Sequence, residues 1–326
     1  MPASPMRSTM PLSTTNNPSP ASSIHASSIL IYSRPRLKQI ALQTTQIAEC
    51  GSYVNNRGEL VRVDASLKTA MGRSMHYHHN HKFSPRNIPS AGEERYDTEF
   101  FVFVCASLEA ALSFRDGHVG VLNSGSGKLP GGRFQEGTIS QEDCICRASL
   151  LYKCLEQYRH KEDNFYVLNS KLPKGISTSC AIFSPRVPVV RRDTVESPLL
   201  DEIQEVSFVT IPAPNAFIIS KQCAEELGEK RDISEAERHL KTKHALREAM
   251  SDRIFRVLSI FADHGCTDLV LSAFGCGVHG NDPDTVASIF QDLLTKEFMG
   301  QFKNVVFTTH PSRFGNYKSF AAVFCD

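Results

Sequence analysis

Apolar and polar positions fall into blocks along this chain, and the blocks predict strands separated by helices. Short apolar runs at Glu99–Cys105, Val119–Leu122, 205–211, Asp268–Ala273 and Asn304–Thr309 have the length and composition of buried strands. The first of these, with its FFVFV core, is too apolar for an edge. An extended piece at 178–190 adds to the set, and Phe320–Phe324 has the pattern of a further edge strand. Helical spacing begins at Arg36, with Ile40, Leu42, Ile47 and Ala48 as apolar anchors and Gly51 as the stop. Residues 52–63 form an extended segment that turns at Asn55-Asn56-Arg57-Gly58. Ser107 is placed to cap a helix through Phe114, with Glu109 in its first turn. Ser140 opens another helix, with Cys146, Ala148, Leu150, Leu151 and Leu155 near one face. A long helix follows from Ser234, whose spacing to Glu237 is that of a capping box, and reaches about His264 before Gly265. Asn281 or Asp282 caps a last helix to about Phe298. Alternating strands and helices without an internal repeat put the chain in the α/β class, as one domain.

Residues 1–34 break the pattern: Ser, Pro, Thr and Asn dominate, with no sustained apolar period, as in a disordered tail before a domain at 35–326. No acidic residue precedes Glu49, whereas Arg7, Arg34, Arg36 and Lys38 are basic, so an organelle transit peptide is an alternative. The few arginines and the weak amphipathic character favour the tail. The polar segment 65–95 carries His76, His78, His79 and His81, which could hold a metal if fixed in place. No helix or strand is recognisable there, and a solvated loop is the expectation.

Composition narrows the function. A net charge of +1 argues against holding nucleic acid by bulk electrostatics. No apolar run approaches the ~18 residues that a membrane helix needs. Ten cysteines without a Cys-x-x-Cys pair suit reduced thiols in a cytoplasmic or nuclear protein better than a disulfide framework.

The most informative stretch is Val119 to Tyr152. Its strand runs into Gly125, Gly127, Gly131, Gly132 and Gly137, and then into the helix at Ser140. A strand, a glycine loop and a helix N-terminus bind phosphate, because unpaired backbone N–H groups and the helix dipole face the anion. Glu142 and Asp143 sit side by side at the mouth of this loop. Acids in a first helical turn also stabilise any helix, and Ser140-Gln141-Glu142-Asp143 resembles a capping box with Asp in place of Glu. A second loop, Gly275-Cys276-Gly277-Val278-His279-Gly280, follows the strand at 268–273. Two such loops fit a nucleotide diphosphate held at the carboxyl ends of the strands. His279 is a candidate acid or base, or an aromatic substitute packing on a sugar. Cys276 is a nucleophile only if exposed beside a cation that lowers its pKa. Arg191 and Arg192 fit a solvated face.

Several motifs, in order, resemble the microbial-type poly(ADP-ribose) glycohydrolases. They are Pro130-Gly131-Gly132-Arg133, Gln141-Glu142-Asp143, Cys146-Arg147-Ala148-Ser149, Leu151-Tyr152 and Ser184-Pro185 with Val187-Pro188-Val189. Pro212-Ala213-Pro214-Asn215 and Gly275-Cys276-Gly277-Val278 with Asn281-Asp282-Pro283 continue the series, so that the resemblance spans about 35–326. It implies a macrodomain-like fold, a three-layer α/β/α arrangement around a mixed sheet, that binds ADP-ribose. It also implies ligand contacts at Asn123, Ser126, Gly131, Gly132, Arg133, Gln141, Gly275, Cys276, Gly277, Val278 and His279. The family signature is a glycine triplet followed by Gln-Glu-Glu, whose last Glu is the catalytic acid. Here Arg133 stands at the third glycine, Asp143 at the last Glu, Ser126 at a ribose-positioning Asn, and His279 at an aromatic that packs against the terminal ribose. The departures cluster at the site while the scaffold positions match.

Breaking a ribose–ribose bond requires an acid on the leaving oxygen and stabilisation of an oxocarbenium-like transition state. The expected function is therefore hydrolysis of O-glycosidic bonds in poly(ADP-ribose) or a related ADP-ribose conjugate, with Asp143 or Glu142 as acid and no cofactor or metal. Asp143 is one methylene shorter than Glu, and about 1 Å of misplacement can cost about 100-fold in rate. The alternatives are an ADP-ribose-binding module that does not cleave, and an enzyme on another nucleotide-derived substrate that uses His279. Nucleic acid would enter only as an ADP-ribosylated substrate.

Overall fold

The computed structural model describes residues 33–84, 96–228 and 234–325. Most of the expected tail, residues 1–32, therefore lies outside the described residues, as does 85–95 of the polar segment. Arg34 already belongs to the first helix, α1 (Arg34–Cys50), which Ser33 caps and Gly51 ends in a left-handed conformation. A small hairpin, β1 (Ser52–Val54) with β2 (Leu60–Arg62), follows it.

The sequence reading of 65–95 as loop is corrected by α2 (Asp64–Arg73) and β3 (Met75–Tyr77). Only Leu67 and Ala70 are buried on α2, a stripe too sparse to show as a helical period. Then come β4 (Glu99–Val104), α3 (Ser107–Ala111), β5 (Val119–Ser124), α4 (Gln141–Ala148), α5 (Leu151–Glu156) and α6 (Phe165–Ser170). The remainder is β6 (Ala181–Arg191), β7 (Leu199–Ile211), α7 (Ala216–Gly228), α8 (Glu235–Asp263), β8 (Asp268–Ser272), α9 (Pro283–Thr295), β9 (Asn304–Thr309) and α10 (Phe314–Phe324).

Seven strands form one mixed sheet in the order β3-β6-β7-β5-β8-β9-β4. Strand β5 is its centre, parallel to β7 on one side and β8 on the other. Side chains alternate across it: Val121 joins the core beneath α1 and α3–α5, and Leu122 the core beneath α8–α10. Helices cover both faces, giving the three-layer α/β/α architecture.

Four expectations fail locally, each for a visible reason. Strand β4 is an edge strand despite its apolar run, because α10 packs on it and Phe100 meets Phe324 at 5.2 Å between ring centroids. The Phe320–Phe324 segment belongs to α10 and is not a strand. Ser107 does not cap α3; its hydroxyl pairs with Thr308 at 3.0 Å and accepts from the Gln141 amide at 2.9 Å. The helix from Ser140 breaks at Ser149, whose backbone bridges to Val189 while Leu150 N–H donates to the Pro188 carbonyl at 2.9 Å. Strand β6 thus intercepts the chain and divides the expected helix into α4 and α5.

The parallel strands β7, β5 and β8 end at Ile211, Ser124 and Ser272, so the loops that follow them emerge at one edge of the sheet. Gly125 N–H donates to the Ile211 carbonyl at 3.1 Å, and Asn281 Nδ2 donates to the Pro214 carbonyl at 2.8 Å. These bonds tie the three loops into one group.

Candidate active site

The β5–α4 loop folds back over the first turn of α4. Gly131 and Gly132 adopt φ of 69° and 60°, a region that excludes most side chains. A Cβ on Gly132 would lie 2.9 Å from Asp143 Oδ1 and 3.2 Å from Glu142 Oε2. One on Gly125 would lie 2.4 Å from Thr210 Cγ2 and 3.3 Å from Glu142 Oε1. The glycines are needed here because the backbone lies directly on the two carboxyl groups.

Adjacent in sequence, these carboxyl groups have different surroundings. Asp143 closes a full capping box: its Oδ2 accepts from Ser140 N–H at 2.8 Å, and Ser140 Oγ accepts from Asp143 N–H at 3.3 Å. Its Oδ1 accepts from Arg133 N–H at 2.8 Å. Both oxygens are thus engaged by backbone donors, and Asp143 bolts the glycine turn to the helix. Glu142, at the next position around the helix, enters the interior with 2% exposure. Its Oε2 accepts from Ser126 N–H at 2.7 Å, while Oε1 is buried without a partner. Burial raises its pKa to about 8, and the Asp143 charge adds to the rise against the opposing backbone donor at Ser126. Burial therefore favours the neutral form of Glu142.

Asn123 Oδ1 and the Tyr166 hydroxyl are also among the buried polar atoms of the described residues without a hydrogen-bond partner. Asn123 is fully buried on β5 and donates to Thr210 Oγ1 at 3.1 Å. Glu142 is among the charges that, after burial, raise the Tyr166 pKa, which places the phenol near the carboxyl. Tyr166 escaped the sequence reading because α6 has no cap bond and no glycine boundary to mark it. Gln141 is a clamp: its Oε1 accepts from Ser124 N–H at 3.0 Å and its Nε2 donates to Leu122 O and Ser107 Oγ, each at 2.9 Å. Ser126 Oγ closes a turn by accepting from Lys128 N–H at 3.2 Å and Leu129 N–H at 3.1 Å. The Arg133 side chain is exposed, and its backbone at φ −123° has no need of glycine.

In the β8–α9 loop Gly275, at φ 73°, has no room for a Cβ, which would meet Asn281 Nδ2 at 2.5 Å and Ala213 Cβ at 2.9 Å. Gly277 has open space on its Cβ side, and Val278 is 83% exposed. Asp282, rather than Asn281, caps α9, its carboxylate accepting from Thr285 N–H at 3.0 Å. Cys276 is buried, and burial pushes its thiol up to about 12, so it packs and is no nucleophile. His279 is half-buried, with its pKa lowered first by burial and then by Arg253, so its neutral form is favoured. Arg253 itself is buried on α8 and donates to the carbonyls of Ser177 and Thr178 at 2.7 and 3.3 Å. Nothing in its helical spacing marked it.

The remaining candidates lie apart from this group. His76 is in β3, half-buried, with its pKa driven down to about 4 chiefly by burial. The carbonyls of His78, His79 and His81 all accept from Arg256. Among the described residues no group of three or more His, Cys, Asp or Glu is placed to hold a metal. Arg191 is not on a solvated face: it is buried and donates to Thr44 Oγ1 at 3.1 Å and Ser197 O at 3.0 Å. Arg192 pairs with Glu109. No helix among the described residues is long and apolar enough to cross a membrane.

Residues 41–192 match the family described as microbial-type PARG, catalytic domain. The fold is similar to the crystal structure of poly(ADP-ribose) glycohydrolase from Thermomonospora curvata. The two are 29% identical, with a TM-score of 0.72, covering 89% of this chain and 100% of that one. A structure of the Thermomonospora curvata enzyme bound to the inhibitor ADP-HPD matches at 29% identity and a TM-score of 0.69, over 89% of this chain and 99% of that one. The Deinococcus radiodurans poly(ADP-ribose) glycohydrolase in complex with ADP-ribose is 28% identical, with a TM-score of 0.63, covering 80% of this chain and 97% of that one. No curated protein matches the sequence.

Proposed function

We propose that this protein binds ADP-ribose across the loops that follow β5, β7 and β8, and hydrolyses O-glycosidic bonds of poly(ADP-ribose) or a related ADP-ribose conjugate. The observation that carries the reading is Glu142: a buried carboxyl group whose neutral form burial favours, lying against the backbone of the turns at Gly125 and Gly132. Such a group can supply the proton that a leaving ribose oxygen requires. The bond between the anomeric carbon and that oxygen breaks, the oxygen takes the Glu142 proton, and water adds hydroxide to the anomeric carbon while its other proton restores the carboxyl. Because Glu142 is 2% exposed, the Gly125–Gly132 loop lifts to admit the sugar, a motion that its glycines permit. Asp143 supports the reaction from behind by holding the turn. The exposed Arg133 guanidinium faces the diphosphate, and the β8–α9 loop at Gly277, open on its Cβ side, lies against it.

Calorimetric titration with ADP-ribose, followed by turnover of poly(ADP-ribose) by the wild type and Glu142→Gln, tests this proposal. Micromolar affinity, about −8 kcal/mol, with turnover lost only in the variant is the expected result. Absence of binding in the wild type would remove the reading. A second reading, binding without cleavage, is favoured by the burial of both carboxyl groups and by the double engagement of Asp143. It predicts the same affinity with no turnover. We place the activity in a single domain over 35–326 and in a reducing compartment, cytoplasmic or nuclear, in keeping with ten cysteines that are all free.

A further inference from the structure

Tyr166 is buried on α6, 2% exposed, and its hydroxyl has no hydrogen-bond partner. A bare buried hydroxyl costs free energy, so its position calls for a reason. Helix α6 lies against the same glycine turn as Glu142. A Cβ on Gly127 would meet Asn169 Cβ at 3.2 Å, and Lys128 Nζ donates to the Leu172 carbonyl at 3.1 Å. Positions 166 and 169 share a face of α6. Glu142 Oε2 accepts from the N–H of Ser126, the residue before Gly127, at 2.7 Å. The turn therefore meets α4 at one residue and α6 at the next. The charges that add to burial in raising the Tyr166 pKa are those of Glu142, Cys146 and Tyr152, and Cys146 lies one turn from Glu142 on α4. Gly131 stands over the same place: a Cβ on it would meet Tyr152 Cδ2 at 3.1 Å and Cys146 Sγ at 3.3 Å.

The donors around Glu142 come from two places. Backbone N–H groups of Ser126 and Gly131, on the turn, and the Asn123 amide, on β5, oppose the effect of burial, while the Asp143 carboxyl beside it adds to that effect. In the proposed reaction the turn lifts, so both backbone donors leave as Glu142 gives up its proton. A carboxylate then remains in the interior with Oε1 bare, which is costly unless a new donor reaches it. Asn123 Nδ2 already donates to Thr210 Oγ1 at 3.1 Å, and its bare atom, Oδ1, only accepts. The Tyr166 hydroxyl can donate and has no other partner. We propose that Tyr166 is a positioning residue for the acid: its O–H donates to the Glu142 carboxylate formed when the proton passes to the leaving ribose oxygen, and keeps that hydrogen bond until the attacking water returns a proton to the carboxyl. No covalent bond to Tyr166 forms or breaks. This inference rests on the proposed hydrolytic reading.

Tyr166→Phe removes the hydroxyl and keeps the ring. Steady-state kinetics on poly(ADP-ribose), calorimetry with ADP-ribose and NMR of carboxyl-labelled glutamate compare the wild type, Tyr166→Phe, Glu142→Gln and the double variant. The Glu142 resonance is the one missing from Glu142→Gln. In Tyr166→Phe the expected kcat is lower by roughly 10- to 150-fold, the equivalent of one hydrogen bond to a charged group. KM and ADP-ribose affinity stay unchanged. The alkaline limb of the kcat profile and the Glu142 titration both move up by about 1–2 pH units, because a donor to the charged form is lost. In the Glu142→Gln background the same change has no further effect on kcat. A fall in Tm and kcat with neither titration moved would make the hydroxyl merely structural and overturns the proposal. A loss of ADP-ribose affinity overturns it too, by placing the hydroxyl on the ligand. Should Tyr166→Phe fail to fold, 3-fluorotyrosine at the same position takes its place: its more acidic phenol moves both titrations down, and unmoved titrations refute the contact. A wild type that does not turn over poly(ADP-ribose) removes the hydrolytic reading instead, and is told apart because it appears without any substitution.

Discussion

Replacing Asp143 by Asn separates its two roles, because the change keeps the shape and removes the charge. Its carboxylate accepts from Arg133 N–H and Ser140 N–H, each at 2.8 Å. In the Asp143→Asn variant one of these donors faces an NH2 group, so one hydrogen bond to a charged acceptor is lost, at about 1.5–3 kcal/mol. For a domain of this size that corresponds to a fall in Tm of roughly 3–10 °C. The glycine turn, no longer bolted to α4, samples open positions, which raises KM for a poly(ADP-ribose) substrate while the pH dependence of kcat stays in place. Glu142→Gln behaves in the opposite way. It raises Tm at neutral pH by roughly 5–10 °C, because on folding the wild-type acid must recover the proton that it loses in the unfolded chain and the amide need not, and it lowers kcat by about 100- to 10,000-fold. Differential scanning calorimetry and steady-state kinetics on the two variants decide the matter. An inactive Asp143→Asn with unchanged melting, beside an active Glu142→Gln, would make Asp143 the acid and refute the division of labour drawn from the hydrogen bonds.

The same Glu142 makes stability depend on pH. Its pKa in the folded state, about 8 against an ordinary 4.5, means that folding favours the protonated form, so its contribution is intact below 4.5 and is lost as pH rises through 8. Glu142→Gln removes this loss, and denaturant melts at pH 9 should find the variant more stable by up to about 5 kcal/mol, with no gain at pH 4; a wild type equally stable at both values would show that the group is not held neutral. Gly132→Ala places a Cβ 2.9 Å from Asp143 Oδ1 at a φ of 60° and is expected to lower stability by about 1–3 kcal/mol in urea melts. Arg133→Gly distinguishes contact from obstruction: ADP-ribose affinity falls by about 10-fold and becomes less salt-dependent if the guanidinium meets phosphate. A rise in affinity would identify it as an obstacle.

The central part of the fold was legible because its signals are strong and local. Strand β5, its glycines and the Ser140 cap come from sequence alone, as do the Ser234–Glu237 box and Gly265 at the two ends of α8. Long-range pairing was not legible. Pairing of Ser149 with Val189 breaks a helix that an uninterrupted apolar face predicts, and α10 shields β4 well enough for an FFVFV run to lie at the sheet edge. At the site, the sequence pointed to Glu142 and Asp143 but did not separate them. That distinction depends on donors from Ser126 and Arg133, 16 and 10 residues away in the chain. Arg253 went unmarked because its partners are the carbonyls of Ser177 and Thr178, about 75 residues away in the chain.

The departures from the family signature are best understood together. Gly131 and Gly132 hold left-handed conformations that the turn requires, but the third position does not, since Arg133 has φ of −123°. A side chain there costs no backbone strain, so the loss of the third glycine leaves the loop path intact. The Arg133 N–H then needs an acceptor at a turn half-closed from water, and Asp143 Oδ1 provides it at 2.8 Å. Both oxygens of Asp143 are taken up by backbone donors, whereas burial makes its neighbour Glu142, with Oε1 lacking a partner, favour the neutral form. The substitution at 143 therefore need not abolish acid chemistry at this loop. In the proposed function the structural role falls to one carboxyl group and the proton transfer to the other, one residue away on the same helix.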